Sequence, residues 1–474
     1  MIHRPFFIAG SWRESSERMT IRSPYDDREL CSVSLAQPQH VEEAIAAAAK
    51  AFAVTRKMPT WQRAELCRKT AASFGARGEE LALAMVDEGG KPIGDARAEV
   101  DRAVHCFEVA ASEAETQGGE VMPLDLRPSA AGRIGFTKRV PVGPVSAISP
   151  FNFPLNLAVH KVAPALAVGC PVVLKPAPQT PTVCLQLAEI IDAAGWPKGC
   201  LSVLPSLPQV ADQLVTDERM KMLTFTGSPE VGWELKRRSG KKKVVLELGS
   251  NAAVIVDDGA DLSLAVPRIV YGAFSYAGQK CISVQRIYVH DKVYDAFLSQ
   301  LLAATAKVKH GDPRDPEVLV GPMINQAAAV RVEQWIDEAK ARGARVLAGG
   351  ARHGSVMPAT VLVDVPPDAK LSCAEAFGPV VTVDRFRDFD EALRRVNDSR
   401  FGLQAGVFTA DLNRTLRSWS ELEMGGVIIN DIPTWRIDPM PYGGVKDSGL
   451  GREGLRSSME EMTELRLLVV NAPV

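Results

Sequence analysis

The chain has 474 residues, of which 46% are hydrophobic and 24% are charged, an ordinary composition for a globular protein of two or three domains. A net charge of −2 gives no electrostatic reason to expect a nucleic acid or an anionic membrane as partner. No apolar run reaches the length of a bilayer, and the N-terminus lacks the layout of a signal peptide. Eight cysteines are scattered without a C-x-x-C pair, which predicts a cytoplasmic protein without a metal site or a disulfide framework.

The first 115 residues are predicted to be largely helical, apart from a short strand at residues 7–12. Helical spacing of apolar residues is found at 39–53, 61–74, 79–88 and 96–114. Prolines and a glycine then divide residues 121–140 into short β-prone pieces. This segment is predicted to be a hairpin that extends from the body of the protein.

Strands and helices alternate from Pro141 onward. Strands are predicted at residues 145–148, 172–174, 201–204, 222–225 and 244–248. A second series follows Gly249, with strands predicted at residues 254–256, 287–289, 379–383, 405–409 and 427–429. Such alternation is typical of parallel sheets with crossover helices, and by default of nucleotide binding. The sequence thus predicts an α/β protein with two parallel-sheet domains and a β-prone tail at residues 462–470.

A candidate nucleophile lies in the stretch 276–283. Cys281 follows a bend that contains Gly278, and Lys280 precedes it directly. A glycine bend lets backbone approach a ligand closely, and a nearby positive charge favours the thiolate form of a cysteine. The alternative is a buried structural cysteine, which is the common role of an isolated one.

Three polar segments follow predicted strands, where α/β proteins place ligands. Asn152 lies between two prolines in the loop 149–154 and could supply an amide donor to an oxyanion, although it could also cap a helix in a plain turn. Lys175 could contact ribose hydroxyls or a phosphate, or lie in solvent. The stretch 226–232 contains Gly227 and opens a helix whose N-terminus could bind phosphate, the alternative being a well-capped helix.

Two carboxylates also lie at strand ends. Glu247 ends an apolar strand, where burial would raise its pKa and suit it to general base catalysis, unless it pairs with one of the lysines at 241–243. Glu375 precedes another strand and could hold a sugar hydroxyl. The stretch 449–454 matches G-x-G-x-x-G but follows no predicted strand, so we interpret that match as fortuitous.

Together these segments resemble the signatures of the aldehyde dehydrogenase superfamily. The resemblance covers nearly the whole chain, and its motifs occur in the family's order. They are residues 150–154, 175–176, 225–228, 246–249, 278–281, 375–379 and 441–446. The expected fold is therefore the α/β fold of that family, with a Rossmann-like cofactor domain, a catalytic domain and a bridging hairpin.

The resemblance implies a role for each motif. Cys281 would attack the aldehyde, Asn152 and the Cys281 backbone N–H would stabilise the oxyanion, and Glu247 would activate the water that hydrolyses the resulting thioester. Lys175 and Glu375 resemble the family's contacts to the two riboses of NAD. The expected cofactor contacts are Ile148, Ser149, Pro150, Phe151, Lys175, Ala177, Pro178, Gly227, Ser228, Val231, Leu248, Gly249, Glu375 and Phe377.

Many NAD-specific members carry a glutamate where this chain has Pro178, so NADP use is also possible. The resemblance implies a cofactor domain at residues 1–120 and 141–249 and a catalytic domain at 250–446. Residues 121–140 and 460–474 would then form an oligomerisation segment in a homodimer or homotetramer.

The substrate branch is indicated by Ser250 and by residues 282–286 and 430–436, which resemble lactaldehyde and phosphonoacetaldehyde dehydrogenases. A short anionic or hydroxylated aldehyde is therefore expected as the small-molecule partner. Cationic residues suit such a group. The candidate contacts are Arg102, His160, Lys280 and Arg436. Arg102 could instead face solvent, and His160 could be a core residue.

Several alternatives remain at the level of sequence. A succinate-semialdehyde or broad-specificity aldehyde dehydrogenase would carry the same motifs. A CoA-acylating relative would have no use for Glu247 as a base, and a structural protein on the same fold would not need Cys281, Glu247 and Asn152 together. A cysteine hydrolase would need a histidine beside the thiol, for which His160 is the nearest candidate.

Overall fold

A computed structural model describes residues 2–472 of the chain. Its first part contains, in order, β1 (Ile2–Arg4), β2 (Phe6–Ile8), β3 (Ser11–Arg13), β4 (Arg18–Arg22), β5 (Glu29–Ser34), α1 (Pro38–Thr55), α2 (Thr60–Ala76), α3 (Gly78–Gly89) and α4 (Ile93–Thr116). The predicted helices are present. The predicted strand at residues 7–12 overlaps β2 and β3, but the expectation of a largely helical first part is wrong for β1, β4 and β5. These strands are short and rich in charged residues, so they lack a clear apolar alternation.

The middle of the chain alternates between strands and helices as predicted. It contains β6 (Val121–Pro123), β7 (Arg133–Pro141), β8 (Val145–Ile148), α5 (Asn156–Val168), β9 (Val172–Lys175), α6 (Thr182–Ala193), β10 (Leu201–Val203), α7 (Asp212–Thr216), β11 (Met222–Thr226), α8 (Pro229–Arg238) and β12 (Lys243–Glu247). Gly169 ends α5 in the left-handed conformation, with φ 91°, which a residue without a side chain adopts at little cost.

The second half begins with β13 (Ala253–Val256), α9 (Leu262–Phe274), β14 (Arg286–His290), α10 (Tyr294–Thr305), α11 (Gln326–Ala341), β15 (Arg345–Ala348), β16 (Thr360–Val363), α12 (Lys370–Cys373), β17 (Val380–Phe386) and α13 (Phe389–Asn397). It continues with β18 (Phe401–Gly402), β19 (Gln404–Phe408), α14 (Leu412–Glu421), β20 (Gly426–Ile429), β21 (Val445–Lys446), β22 (Gly449–Leu450), α15 (Leu455–Glu461) and β23 (Thr463–Asn471).

Two large sheets organise these elements. The first has the strand order β22-β12-β11-β8-β9-β10-β2-β3, and its strands from β12 to β10 are parallel. The second has the order β15-β16-β17-β14-β13-β19-β20 and is parallel except for β15. The predicted α/β class is therefore confirmed. Because the central strands of the first sheet run the same way, the loops after β8, β9, β11 and β12 meet at one edge.

Helix α5 lies at the centre of the first apolar core. All 13 of its residues are buried, including His160 and Lys161. A buried lysine and histidine need partners for their polar atoms, so their presence in an otherwise apolar helix marks a polar cluster on its surface. A separate core, built on α9, α10 and α11, covers the second sheet.

A three-stranded sheet, in the order β23-β7-β6, is separate from both large sheets. The predicted hairpin and the predicted β-prone tail belong to this one sheet, because β23 pairs antiparallel with β7 along nine residues. Several of its apolar side chains are exposed. They are Val121, Met122, Ile134, Phe136, Leu465, Leu467, Leu468, Val469 and Val470. A search of residues 2–472 finds no helix with the length and apolar character needed to cross a membrane.

Candidate active site

A cavity of about 290 Å³ lies between the two sheets, and Cys281 is part of its wall. Side chains from α4, from the start of α5, from α9 and from the loop after β20 complete the wall. The polar and aromatic members are Asp95, Glu99, Arg102, Phe153, Asn156, Arg268, Tyr271, Tyr276, Lys280, Cys281, Thr434, Trp435, Arg436 and Tyr442. The cavity therefore combines a thiol with several cationic groups.

The backbone before Cys281 forms an unusual turn. Tyr276, Ala277 and Gly278 have φ values of 54°, 53° and 65°, all in the left-handed region. A side chain at Gly278 would lie 2.2 Å from the carbonyl oxygen of Gly378, so the glycine lets this turn pack closely against the backbone at residue 378. Left-handed φ costs non-glycine residues about 1 kcal/mol each, and it is found mainly where the surroundings hold the chain in place.

The Cys281 thiol is half-buried and lies 3.0 Å from the Tyr442 hydroxyl. Burial raises the pKa of the thiol to about 12, although the hydrogen bond with Tyr442 acts in the opposite direction. Lys280 does not supply the charge that its position in the sequence suggested. Its ammonium group bonds to the Ser275 hydroxyl, away from the sulfur, and burial lowers the pKa of Lys280 to about 8.

Asn152 lies close to the nucleophile through the turn before it. It is buried, and its side-chain amide donates a hydrogen bond of 2.9 Å to the carbonyl oxygen of Gln279. Gln279 is itself fixed, since its side-chain oxygen accepts a bond from the Ile324 backbone N–H at 2.8 Å. The amide of Asn152 has two hydrogens, so one remains for another acceptor.

Glu247 ends β12 beneath the cavity and is buried. Neither of its carboxylate oxygens has a hydrogen-bond partner among residues 2–472. Burial and the nearby Glu453 carboxylate raise the pKa of Glu247 well above its ordinary value. The alternative of a rim glutamate paired with the lysines at 241–243 is wrong, since Lys243 instead contacts Glu464.

A buried ion pair beside Glu247 was missed in the sequence. Lys161 donates to Glu453 at 2.8 Å and to the Thr226 hydroxyl at 2.7 Å. Burial opposes ionisation of Glu453, but the charges of Lys161 and His160 outweigh it and lower the pKa of Glu453 to about 2. Lysine within the apolar run of α5 was a usable signal for this pair.

Asp438 connects two of the predicted substrate residues and was also missed. Its carboxylate accepts bonds from Arg102 at 2.6 Å, from His160 at 2.8 Å and from Asn156 at 3.3 Å. Burial alone would raise the pKa of Asp438, but these partners hold it below its ordinary value. Arg102 is therefore held at the cavity wall rather than in solvent, and His160 lies behind the wall.

The Cys106 thiol completes a buried group of possible metal ligands with His160 and Asp438. The Arg102 guanidinium already forms an ion pair with the Asp438 carboxylate, and its positive charge disfavours a metal cation there. The same nitrogen of His160 faces both Cys106 and Asp438, so these three residues do not form the relay of a cysteine hydrolase. No histidine lines the cavity beside Cys281 among the described residues.

Arg436 is a cationic residue of the cavity wall, and its side chain is 6% exposed. Its guanidinium lies 3.7 Å above the centre of the Tyr442 ring, and one Nη is 3.5 Å from Glu453. Its Nε is buried without a hydrogen-bond partner among residues 2–472. A buried guanidinium with an unused donor suits an anionic ligand.

A second cavity, of about 710 Å³, lies at the edge where the first sheet's loops meet. Ile148, Lys175 and Val231 line it. Lys175 is buried rather than solvated, and burial lowers its pKa to about 8. Its ammonium group contacts the carbonyl oxygen of Pro176, at 3.2 Å. Ser228 begins α8, but its hydroxyl does not cap that helix.

The remaining predicted cofactor residues lie around this edge. Glu375 accepts a bond from the Ser250 backbone N–H at 3.0 Å, and burial raises its pKa to about 7. A side chain at Gly249 would lie 2.4 Å from a Glu375 oxygen, so glycine at this position lets the Glu375 carboxylate pack against the backbone. The rings of Phe151 and Phe377 meet edge to face at 5.8 Å. Ser149, Pro150, Ala177, Pro178, Gly227 and Leu248 occupy the loops and strand ends after β8, β9, β11 and β12.

The chain belongs to the aldehyde dehydrogenase family, whose model matches residues 12–468. It is therefore an oxidoreductase that acts on aldehydes. It is 43% identical to a 3-sulfolactaldehyde dehydrogenase of Priestia aryabhattai over 98% of this chain and 97% of that protein.

Two solved structures are similar over nearly their full length. Aldehyde dehydrogenase 21 from Physcomitrella patens, in complex with the reaction product succinate, is 43% identical, with a TM-score of 0.97 over 99% of this chain and 98% of that one. A glyceraldehyde-3-phosphate dehydrogenase from Methanocaldococcus jannaschii, complexed with NADP, is 37% identical, with a TM-score of 0.93 over 97% and 99% of the two chains.

Proposed function

We propose that the protein oxidises a short aldehyde with an anionic group to the corresponding carboxylic acid, using a nicotinamide cofactor. The supporting observation is that Arg436, whose buried Nε has no hydrogen-bond partner among residues 2–472, lines the same cavity as Cys281. Arg102 lines that cavity as a second guanidinium. Three of the similar proteins are named for a sulfonate-bearing aldehyde, are named for a phosphate-bearing aldehyde or hold a dicarboxylate product, and these three ligands carry an anion.

Cys281 is the proposed nucleophile. Attack of its sulfur on the aldehyde carbon gives a thiohemiacetal, with negative charge on the former carbonyl oxygen. The free hydrogen of the Asn152 amide is available to that oxygen, because the other is held by Gln279. Fixing the amide before the reaction avoids an ordering cost at the transition state.

Glu247 is the proposed general base for hydrolysis of the thioester. Its two unpartnered oxygens can accept a proton from water, and its raised pKa makes it a stronger base than an exposed carboxylate. Such a base has a purpose in water-dependent hydrolysis and none in transfer to CoA. This favours release of the free acid over a CoA-acylating reaction.

The nicotinamide cofactor would lie along the edge formed by Lys175, Gly249 and Glu375. The close packing of Glu375 against Gly249, the buried Glu375 carboxylate and the cavity beside Lys175 are compatible with a dinucleotide. When bound, the cofactor supplies the acceptor for the hydride that leaves the thiohemiacetal carbon, and loss of this hydride converts the thiohemiacetal into the thioester. Pro178 places no carboxylate near Lys175, so a 2′-phosphate would not be repelled there, and either NAD or NADP is a candidate.

We propose a separate role for each of the two large sheets and for the sheet β23-β7-β6. Residues 1–120 and 141–249 would hold the cofactor, residues 250–446 would supply the nucleophile, and residues 121–140 and 460–474, whose described part includes the sheet β23-β7-β6, would associate with a second copy. We propose a homodimer or homotetramer because this sheet exposes apolar side chains. The eight cysteines are all free, as suits a reducing cytoplasm.

The test is formation of NADH and NADPH with a panel of aldehydes. The panel would hold 3-sulfolactaldehyde, phosphonoacetaldehyde, succinate semialdehyde, glyceraldehyde 3-phosphate, lactaldehyde and benzaldehyde, with Cys281→Ala as the inactive control. We expect the highest kcat/KM among the anionic aldehydes. Equal or better turnover of lactaldehyde or benzaldehyde would contradict an anion-binding cavity and leave the Cys281 mechanism in place.

A further inference from the structure

The Cys281 sulfur has one hydrogen-bonding side chain in contact with it among the described residues, the Tyr442 hydroxyl at 3.0 Å. Tyr442 is buried, and its backbone exchanges two hydrogen bonds with Glu453, which fixes its position. Arg436 covers one face of the ring. The backbone bonds to Glu453 and the Arg436 guanidinium over the ring therefore hold the Tyr442 hydroxyl against the sulfur.

The phenol remains a donor over the working pH range. Burial raises the pKa of Tyr442 well above its ordinary value, so the hydroxyl keeps its proton. Between a phenol and a thiol either group can donate, but a thiolate can only accept. The bond consequently gains strength when negative charge develops on sulfur, as hydrogen bonds to ionised acceptors do.

Other charged groups facing the sulfur act in opposite directions. Glu375 and Glu247 disfavour the thiolate, whereas Arg436 favours it. Lys280 is turned to Ser275 and makes no contact with the sulfur. The Tyr442 hydroxyl thus contacts the Cys281 sulfur, whereas Lys280, the adjacent residue in the sequence, does not.

We infer that Tyr442 is a catalytic residue whose hydroxyl donates a hydrogen bond to the Cys281 thiolate, an inference that rests on the proposed role of Cys281. The thiol proton leaves to solvent water in the cavity, and the sulfur lone pair then forms the bond to the aldehyde carbon while the carbonyl electron pair moves to oxygen. When hydrolysis breaks the carbon–sulfur bond, that electron pair returns to sulfur and the hydroxyl donates to it again. Tyr442 keeps its proton throughout.

The test is the pH dependence of Cys281 alkylation by iodoacetamide in Tyr442→Phe, which keeps the ring under Arg436 and removes only the hydroxyl. Both proteins carry Cys373→Ser, because Cys373 is the exposed cysteine of the chain. Loss of one hydrogen bond to a charged sulfur is expected to raise the alkylation midpoint by about one pH unit. The value of kcat/KM below that midpoint is then expected to fall roughly tenfold, and the deficit to shrink at higher pH.

Tyr288→Phe is the matched control, since Tyr288 is also buried with a bonded hydroxyl but lies outside the cavity. An unchanged midpoint in Tyr442→Phe, or an equal shift in Tyr288→Phe, would overturn the inference. If Tyr442→Phe does not fold, protein containing 3-fluorotyrosine replaces it. Its more acidic hydroxyls are expected to lower the midpoint, and a midpoint that does not fall would also overturn the inference. Alkylation needs neither aldehyde nor cofactor, so it is independent of the substrate panel.

Discussion

Arg102 and Arg436 line one cavity, but their hydrogen bonds differ. The Nε and one Nη of Arg102 donate hydrogen bonds to Asp438, and the other Nη remains available to a ligand. Arg436 has a buried Nε without a partner among residues 2–472. Leaving a buried donor unsatisfied costs about 1–3 kcal/mol, and an anionic ligand would recover that cost. The guanidinium of Arg102 is thus already fixed in position for a ligand, whereas the Nε of Arg436 lacks a hydrogen-bond partner among the described residues.

Replacing Arg102 by alanine is expected to lower kcat/KM for an anionic aldehyde by roughly 10- to 100-fold, because hydrogen bonds between charged groups are worth about 1.5–3 kcal/mol. The rate with lactaldehyde is expected to change much less. Steady-state kinetics with both substrates measure this difference. Arg97→Ala is the control, since Arg97 lies on the same helix but pairs with Glu79 at the surface. Equal losses for both aldehydes would contradict an anion contact.

Glu247 should set the lower pH limit of turnover. A carboxyl group with a raised pKa keeps its proton to higher pH, so the general base is absent in acid and appears as the pH rises through that raised value. Glu247→Gln is expected to slow thioester hydrolysis by roughly 100- to 10,000-fold. Rapid-mixing experiments would then show one burst of reduced cofactor followed by slow turnover. Unimpaired steady-state turnover in this variant would exclude Glu247 as the base.

Sequence reasoning found site residues that adjoin strand ends or the turn at residues 276–278. It could not find Tyr442, Asp438 or the Lys161–Glu453 pair as partners, since these contacts join residues 161, 278 and 292 positions apart. Lys280 was predicted to lie beside the sulfur only because it directly precedes Cys281 in the sequence. The left-handed turn directs that side chain elsewhere, which no local pattern reveals.

At the level of elements, α4 and α5 are joined by a buried charge pair. Lys91 bonds to Glu99, and Glu99 accepts the backbone N–H groups of Leu155 and Asn156 at the start of α5. The Lys91 ammonium lies 3.7 Å above the Phe153 ring. The pair consequently fixes the loop that carries Asn152.

Lys91→Met is expected to destabilise the protein by about 3–5 kcal/mol, because it leaves the Glu99 carboxylate buried without its cation. The midpoint of urea unfolding measures the loss. Lys69→Met is the matched control, since Lys69 pairs with Glu65 at the surface and is expected to change stability by less than about 1 kcal/mol. Similar midpoints for the two variants would contradict the importance of the buried pair.

The elements themselves were predictable to different degrees. Strands such as β9 and β13 are continuous, buried apolar runs, and the sequence shows them directly, although β16, which pairs in parallel with β17, was missed. The strands β1, β4 and β5 are short and carry arginines or a glutamate, so they were missed, whereas the predicted strand at residues 7–12 overlaps β2 and β3. The order of the strands within each sheet could not be predicted from the sequence, because strands far apart in the chain pair with each other, as β22 does with β12.

At the level of the molecule, the sheet β23-β7-β6 presents apolar residues that no other described residue covers. Register places Leu468 opposite Phe136, and Phe136 opposite Val121, so the three lie in a row on one face. Strand β23 is at the sheet edge, where unpaired backbone groups can also bind another strand. A second copy of this sheet is the proposed partner.

Leu468→Asp is expected to weaken association by at least about 100-fold in dissociation constant, because burying an unpaired charge costs several kcal/mol. Light scattering after size exclusion measures the mass in solution. Leu412→Asp is the control, since Leu412 is equally apolar and 70% exposed but lies on α14, outside this sheet. A mass that stays the same in Leu468→Asp would place the contact elsewhere.

The pairing of β7 with β23 also bears on the order of folding. Arg139 and Thr463 contact each other across 324 positions, and the whole second sheet lies between them in the chain. Contacts of such long sequence separation form slowly, since the entropy of closing the loop must be overcome first. We therefore expect both large sheets to form before β23 finds β7 during refolding. Assembly would then be the last event, reserved for chains that have already built their catalytic cavity.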